Sequence, residues 1–359
     1  MSIVPFPPPV KPKFKFIDLF CGIGGFRLAL QSLGGKCVFS SDIDAAARAT
    51  YQTNFGELPY GDIRTLTNLD ISDEELDRLI PNHDLLTAGF PCQPFSRAGV
   101  SARNYLGQNH GFEDIEQGNL FFDIVRIARV KRTKVLLLEN VKNFLTHDQG
   151  KTFHIVKETI EKDLGYSFNY KIIDSSSLVP QRRERFYIVC FRDNVNFEFP
   201  NFQGEPLPLK LILEENMCNK FTISDKLWEG HQKRSQRNEA RGAGFTVKLA
   251  NLDKPSNTLV SRYYKDGKEC LIPQQGKNPR MLTPRECARL QGFPEEYLLP
   301  NSAAAAYRQF GNSVAVPVVI RIAQAILEKL DTMRYQPEEL QKAGFKTAAN
   351  LTVWEKCYW

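Results

Sequence analysis

The residues of this chain with chemistry to offer are a cysteine in a proline-framed loop, a carboxylate closing an apolar run, and a cluster of arginines. Cys92 stands in GFPCQPFS, where two prolines fix the loop directly after the apolar stretch HDLLTAGF. A lone cysteine is usually buried packing. A strand ending in this loop would carry it to the edge where open α/β sheets build their sites, which favours a nucleophile. KVLLLENV ends in Glu139-Asn140, and a carboxylate there is costly unless it is paired or functional. VPQRRERFYIV sets Arg182, Arg183 and Arg185 before another apolar run. A solvated basic turn is the plain explanation, yet arginines this dense at the same sheet edge suit a phosphate or carboxylate.

A second group of residues points to a ligand. FIDLFCGIGGF puts a GxGG turn between a predicted strand and a predicted helix. Glycine there lets backbone N–H groups and a helix N-terminus approach a bound molecule. The dinucleotide fingerprint GxGxxG lacks its third glycine, which weakens the case for NAD. Asp42 lies near the end of the next predicted strand, where ribose hydroxyls are accepted, and Asp62 of GDI follows a further strand. An adenosine ligand without a pyrophosphate fits this set better than NAD does. Taken singly, the glycines are explained as well by a structural tight turn.

The elements that must position these groups alternate. FKFIDLF, KCVFSSDID, HDLLTAGF and KVLLLENV read as strands, with FRLALQSLGG, ISDEELDRLI and GNLFFDIVRIARV as helices between them. Such alternation predicts an open parallel sheet covered by helices on both faces. FNYKIIDSSSLVP and RFYIVCFR continue the pattern, which fails near residue 193. Scattered Pro and Gly and short β-like pieces such as NTLVSRYY then predict a smaller second domain. Helical spacing resumes in LTPRECARLQGF and SVAVPVVIRIAQAILEKL, helices expected to pack back on the first domain.

Composition sets the bounds. The chain has 359 residues, 42% hydrophobic and 25% charged, enough for two domains and a sizeable core. Residues 1–15 hold five prolines and three lysines and read as a mobile leader. The net charge of +6 is concentrated between residues 218 and 280, with 13 Lys/Arg against 6 Asp/Glu, which suggests a nucleic-acid partner for that segment. No uninterrupted apolar stretch approaches a membrane span, and no signal core opens the chain. The eight cysteines form no CxxC pair, so neither zinc nor a disulfide framework is expected.

Taken in order, FIDLFCGIGGFRLAL, GFPCQPFS, ENVKNF, QRRERFYIV, RECARLQGFP and YRQFGNSVAVPV resemble the motif series of the C5-cytosine DNA methyltransferases over residues 16 to 325. The resemblance implies an α/β, Rossmann-like, S-adenosylmethionine-dependent methyltransferase fold with a second, smaller, mostly β and irregular DNA-recognition domain. On that reading residues 1–15 are the flexible leader, 16–195 the catalytic domain, 196–278 the target-recognition domain, 279–330 the return to the catalytic domain, and 331–359 a C-terminal extension. Phe20, Gly22, Ile23, Gly25, Ile43, Ile63, Gly89, Pro91, Leu120, Asn312, Ser313 and Val314 would line the cofactor pocket, with Asp62 near the adenine. Asp42 would hold the ribose where the family usually has Glu. S-adenosylmethionine is the one cofactor implied, without a metal.

Carried over in the same way, Cys92 would attack carbon 6 of cytosine, and carbon 5 would then accept the methyl group. Glu139 would donate to ring N3 and hold the exocyclic amine, Arg185 would bind the base carbonyl, and Arg183 would position Glu139 or a flanking phosphate. Reaching carbon 6 requires the base to be flipped from the duplex. Ser96, Arg97, Arg241, Lys248, Arg262 and Lys265 are the candidate DNA contacts, although several of them suit a solvated basic face equally. The loop 96–111 would order on DNA. ARGAGF followed by TLVSRYYKDGKECLI is similar to recognition regions of the Dcm type, which implies a CC…GG site. The family's commonest setting implies a monomeric, cytoplasmic bacterial enzyme, nucleoid-associated on DNA and protecting it from a restriction endonuclease. Three competing readings are a tRNA cytosine-5 methyltransferase of the same family, a catalytically silent DNA-binding regulator and a Rossmann oxidoreductase.

Overall fold

The computed structural model describes residues 4–91, 120–193, 195–215, 219–242, 244 and 246–334. Cys92, Ser96, Arg97, the loop 96–111 and residues 335–359 lie outside the described residues.

A six-stranded sheet runs in the order β2-β1-β3-β4-β6-β5. Its parallel half comprises β1 (Phe14–Leu19), β2 (Gly35–Ser41), β3 (Leu85–Gly89) and β4 (Val135–Val141). The crossovers are α1 (Gly25–Ser32) and α2 (Ala45–Phe55), then α3 (Arg64–Thr67), α4 (Asp73–Leu79) and α5 (Leu120–Lys131). Asp44 starts α2 by accepting hydrogen bonds from the amides of Ala46 and Ala47, and Ser72 starts α4 in the same way from Glu75. After β4 come α6 (Lys151–Glu158), β5 (Asn169–Asp174) and β6 (Glu184–Phe191).

The strand and helix alternation predicts a parallel sheet, but the sheet is parallel only in part. β6 runs antiparallel to both β4 and β5. Residues 175–183 hold no helix, and so short a link between β5 and β6 cannot make the crossover a parallel pair needs.

Alternation along each strand builds a core on each face. Phe16, Leu85, Val135, Leu137 and Val189 face α1, α2 and the C-terminal helices. Ile17, Leu86, Leu136, Leu138 and Ile188 face α3 to α6. Burial on both sides is the reason KVLLLENV is apolar almost without a break.

Residues 196–278 contain α7 (Asp225–Ala240), the strand β7 (Ile272–Gln274) and short 3-10 turns. β7 pairs with β8 (Lys277–Arg280). Ser224 caps α7 through the Leu227 amide, and His231 is its only buried residue. NTLVSRYY forms no strand, contrary to its β-like composition, and Ser261–Lys265 is a 3-10 turn with Tyr263 buried. Three helices close the fold: α8 (Pro284–Leu290), α9 (Ala303–Asn312) and α10 (Val316–Arg334). A full capping box between Thr283 and Glu286 starts α8, and α10 packs on α1. One stretch among the described residues, Ala303–Thr332, is long and apolar enough to cross a membrane, and 72% of its apolar window is buried inside the fold.

The leader departs from its expected mobility. Its stretch from Val4 to Pro7 lies against α1 and α2, with the Phe6 amide donating to the Asn54 carbonyl at 3.1 Å. Gln31 Nε2 donates to the carbonyls of Phe6 and Pro7 at 3.1 and 2.8 Å. Burial of one aromatic ring and these bonds outweigh the tendency of a proline-rich segment to stay extended in solvent.

Candidate active site

The strand order reverses about β1 and β3, and the chain ends of β1, β3 and β4 open there on one cavity of about 630 Å³. Its volume falls in the range of small-molecule sites. After β1 the backbone turns sharply: Phe20, Gly22 and Gly24 all have positive φ, at 56°, 53° and 82°. For Phe20 that conformation is strained, which a ligand-binding turn can justify. Gly22 has open space where a Cβ would stand, facing the cavity. At Gly25 a Cβ would lie 2.8 Å from both Ser313 Oγ and Val314 Cγ2. Only glycine there lets the segment after α9 close on the start of α1.

That closure brings Asn312, Ser313 and Val314 to the cavity beside Phe20, Gly22, Ile23 and Gly25. Ile43, Ile63, Gly89, Pro91 and Leu120 line it as well, with Asp42 and Asp62. Every residue the sequence motifs assign to the cofactor therefore borders one cavity. Asp42 accepts from the Gly22 amide through Oδ2 and from the Asp44 amide through Oδ1, each at 2.7 Å. Its first effect is thus to fasten the glycine turn to the end of β2. Burial raises its pKa, opposed by those same amides. Asp62 is gripped by Arg64 through both carboxylate oxygens, which lowers its pKa.

Glu139 lies two residues before the end of β4, opposite Gly89 of β3, and its Oε1 lies 3.1 Å from Arg185 Nε. The glutamate is buried, and this desolvation raises its pKa despite the charges of Arg185 and Arg183. Asn140 points the other way and donates to the Phe90 carbonyl at 3.0 Å, pinning the chain two residues before Cys92. Asn140 was legible in ENV, but the bond needs the β3–β4 pairing.

Arg183 borders the same cavity as Glu139, but its hydrogen bonds go to backbone. Its guanidinium is buried and donates to the carbonyls of Leu259, Gly311 and Ser313 at 3.0, 3.2 and 2.6 Å. A buried group so engaged does not reach a DNA phosphate, and its effect on Glu139 is through charge. Arg182 instead joins its amide to the Ser256 carbonyl at 2.9 Å. Gln181, which sequence reasoning passed over, accepts from the Leu259 amide and donates to the Leu290 carbonyl. A buried glutamine beside an arginine pair has no sequence signature, since its partners lie far along the chain.

Residues 256–260 are thereby laced to Pro180–Arg183, and Gly311 packs on the Val260 and Ser261 backbone so closely that a Cβ would fall 2.4 Å from it. Arg262 and Lys265 follow on the Ser261–Lys265 turn, and Arg241 and Lys248 lie beyond α7; all four are exposed. Arg308, a cavity-lining residue outside the sequence motifs' assignments, stacks on Tyr264 at 5.6 Å. The described cysteines 21, 37, 190, 270 and 287 are buried and form no disulfide, and of these Cys21 borders the cavity.

The arrangement brings a buried carboxyl of raised pKa, a cationic partner and a strand end leading to a cysteine beside a pocket of nucleoside size. Comparison with known proteins agrees. The family model described as C-5 cytosine-specific DNA methylase matches residues 14–328. The chain is 46% identical over 338 residues to "Type II methyltransferase M.DsaV" of Dactylococcopsis salina, covering 91% of this chain and 90% of that one. It is 40% identical to the "DNA-cytosine methyltransferase" of Escherichia coli (strain K12), covering 92% and 81%. Among solved structures, the Spodoptera frugiperda DNMT2 mutant superposes with a TM-score of 0.67 at 22% identity, covering 87% of this chain and 99% of that one. At that identity the last likeness establishes the fold alone.

Proposed function

This chain belongs to the C-5 cytosine-specific DNA methylase family and methylates DNA on carbon 5 of cytosine, and from that premise we propose that S-adenosylmethionine fills the cavity and Cys92 forms the covalent link to the base. The observation that carries the reading is the Glu139–Arg185 pair in the wall of the pocket.

The residues present suit the cofactor. The glycine turn offers close backbone approach, Asp42 has lone pairs left for ribose hydroxyls, and the apolar side chains of Phe20, Ile43 and Val314 suit a purine. Once bound, S-adenosylmethionine supplies an electrophilic methyl group. Asp62, tied to Arg64, borders the same cavity and would lie near the adenine.

Carbon 5 of cytosine is a weak nucleophile. Cys92 thiolate adds at carbon 6 and pushes electron density to carbon 5. Glu139 in its protonated form donates to N3 and its other oxygen accepts from the exocyclic amine, so charge on the ring is relieved as it develops. Arg185 donates to the base carbonyl while holding Glu139. Loss of the carbon-5 proton and β-elimination then free Cys92. The flipped base enters from the side of Arg262 and Lys265, which with Arg241 and Lys248 contact the duplex. Ser96 and Arg97 act from the loop after Cys92, which orders over the base.

The setting we propose is a monomer in the bacterial cytoplasm, nucleoid-associated on DNA and protecting CC…GG sites from a restriction endonuclease. The relatives' Type II names support the protective role, and the TLVSRYYKDGKECLI segment supports the site. The tRNA alternative is not favoured by relatives named for DNA methylation.

The test is transfer of label from tritiated S-adenosylmethionine to phage DNA or tRNA, followed by bisulfite sequencing of a plasmid from an expressing strain. Label on DNA alone is expected, with Cys92→Ser binding DNA but transferring almost none. Label on neither substrate, or full transfer by Cys92→Ser, overturns the mechanism.

A further inference from the structure

The glycine turn of the pocket is built from residues with little stiffness of their own. Gly22 and Gly24 adopt positive φ, and glycine crosses between such conformations readily. Packing from outside must therefore hold the turn. Two aromatic rings do so. The Phe55 ring stands where a Cβ of Gly24 would fall, 2.4 Å from that position. The Tyr297 hydroxyl donates to the Ile23 carbonyl at 2.7 Å. Asn54 couples the two elements by accepting from the Leu298 amide and donating to its carbonyl, at 2.8 and 2.9 Å.

Behind both rings sits a single side chain of the leader. Phe6 lies 5.9 Å from Phe55 and 6.1 Å from Tyr297, ring centre to ring centre. It is fixed there by its amide on Asn54 and by Gln31 on its carbonyl. We propose that Phe6 is a positioning residue for the S-adenosylmethionine pocket, wedging Phe55 against Gly24 and Tyr297 against Ile23. The inference rests on the cofactor reading above. Without the wedge, each ring loses a packing partner, and the glycines sample conformations that leave the pocket misshapen.

Calorimetry with S-adenosylhomocysteine tests this on the full chain, alongside DNA binding by fluorescence anisotropy, steady-state kinetics and thermal melting. Phe6→Ala should raise the Kd for S-adenosylhomocysteine about ten-fold and raise KM for S-adenosylmethionine with little change in kcat. Its Kd for DNA should stay within about two-fold, and Phe6→Trp should restore cofactor binding. Tyr297→Phe keeps the ring but removes the bond to Ile23, and should weaken the cofactor several-fold in a folded protein. An unchanged cofactor Kd in Phe6→Ala overturns the inference, as does an equal weakening of cofactor and DNA. Failure of the unaltered protein to bind S-adenosylhomocysteine sinks the cofactor reading itself.

Discussion

Glu139 and Arg185 meet along a diagonal of the β4–β6 pair. Glu139 is in register with Tyr187 and Arg185 with Val141, so the two long side chains lean toward one another and close at 3.1 Å. Diagonal neighbours on an antiparallel ladder are within reach of side chains of this length. The pair sets opposing demands on one proton: burial keeps it on Glu139, while Arg185 favours its loss.

Glu139→Gln should fold and bind DNA, yet lose about 10²- to 10⁴-fold in single-turnover methylation. In the unaltered enzyme the rate should fall as pH rises through the elevated pKa of Glu139. Arg185→Met removes the charge that lowers that pKa, so its residual activity should keep its alkaline limb to higher pH. A limb that moves to lower pH would contradict the protonated role of Glu139.

Arg183→Met leaves the carbonyls of Leu259, Gly311 and Ser313 without their donor. The loss should be about 2 to 4 kcal/mol in urea denaturation. The salt dependence of DNA binding by this variant should match that of the unaltered protein, because Arg183 does not reach a phosphate. A smaller salt slope would restore the phosphate role.

Gly25→Ala forces the new methyl group against Ser313 and Val314. S-adenosylhomocysteine affinity should drop at least ten-fold by calorimetry, through displacement of the 312–314 wall. A Kd within two-fold would mean this wall gives way without cost.

Arg262→Ala and Lys265→Ala test the duplex contact. Each should reduce the slope of log K against log salt by about 1 for B-DNA. The cofactor Kd should not move, and unchanged slopes would assign both residues to a solvated face.

Asp18 supplies a pH test of stability. It is buried, with Oδ2 lacking a partner among the described residues, and burial raises its pKa from 3.8 to about 7. Between those values the native state holds a proton that the unfolded chain has lost, so this contribution to stability declines as pH rises through about 7. Asp18→Asn should gain in melting temperature relative to the unaltered protein between pH 5 and pH 8. A constant difference across that range would exclude the titration.

The parallel half of the sheet was legible because burial on two faces demands apolar runs, and helices of crossover length stood between them. The glycines and Asp42 stood out as candidates because each falls just after a strand, whereas Asp62 follows only an isolated bridge at Tyr60 and not the strand its surroundings predict. What pattern could not convey was direction: β6 reverses because its link to β5 is short, a fact about the connection rather than the strand. The leader's prolines hid Phe6, whose partners Phe55 and Tyr297 come from two distant elements.

By itself the sequence determined which side chains have reactive chemistry and the order in which strands present them, since both are properties of local residue type and spacing. Tertiary structure alone decided how those side chains divide the work. Arg183 and Arg185 are two residues apart in one motif, yet one fastens three backbone carbonyls and the other pairs with Glu139. The difference comes from what each finds at the end of its side chain. The carbonyls of Leu259, Gly311 and Ser313 converge only once the recognition segment and α9 have folded back onto the sheet.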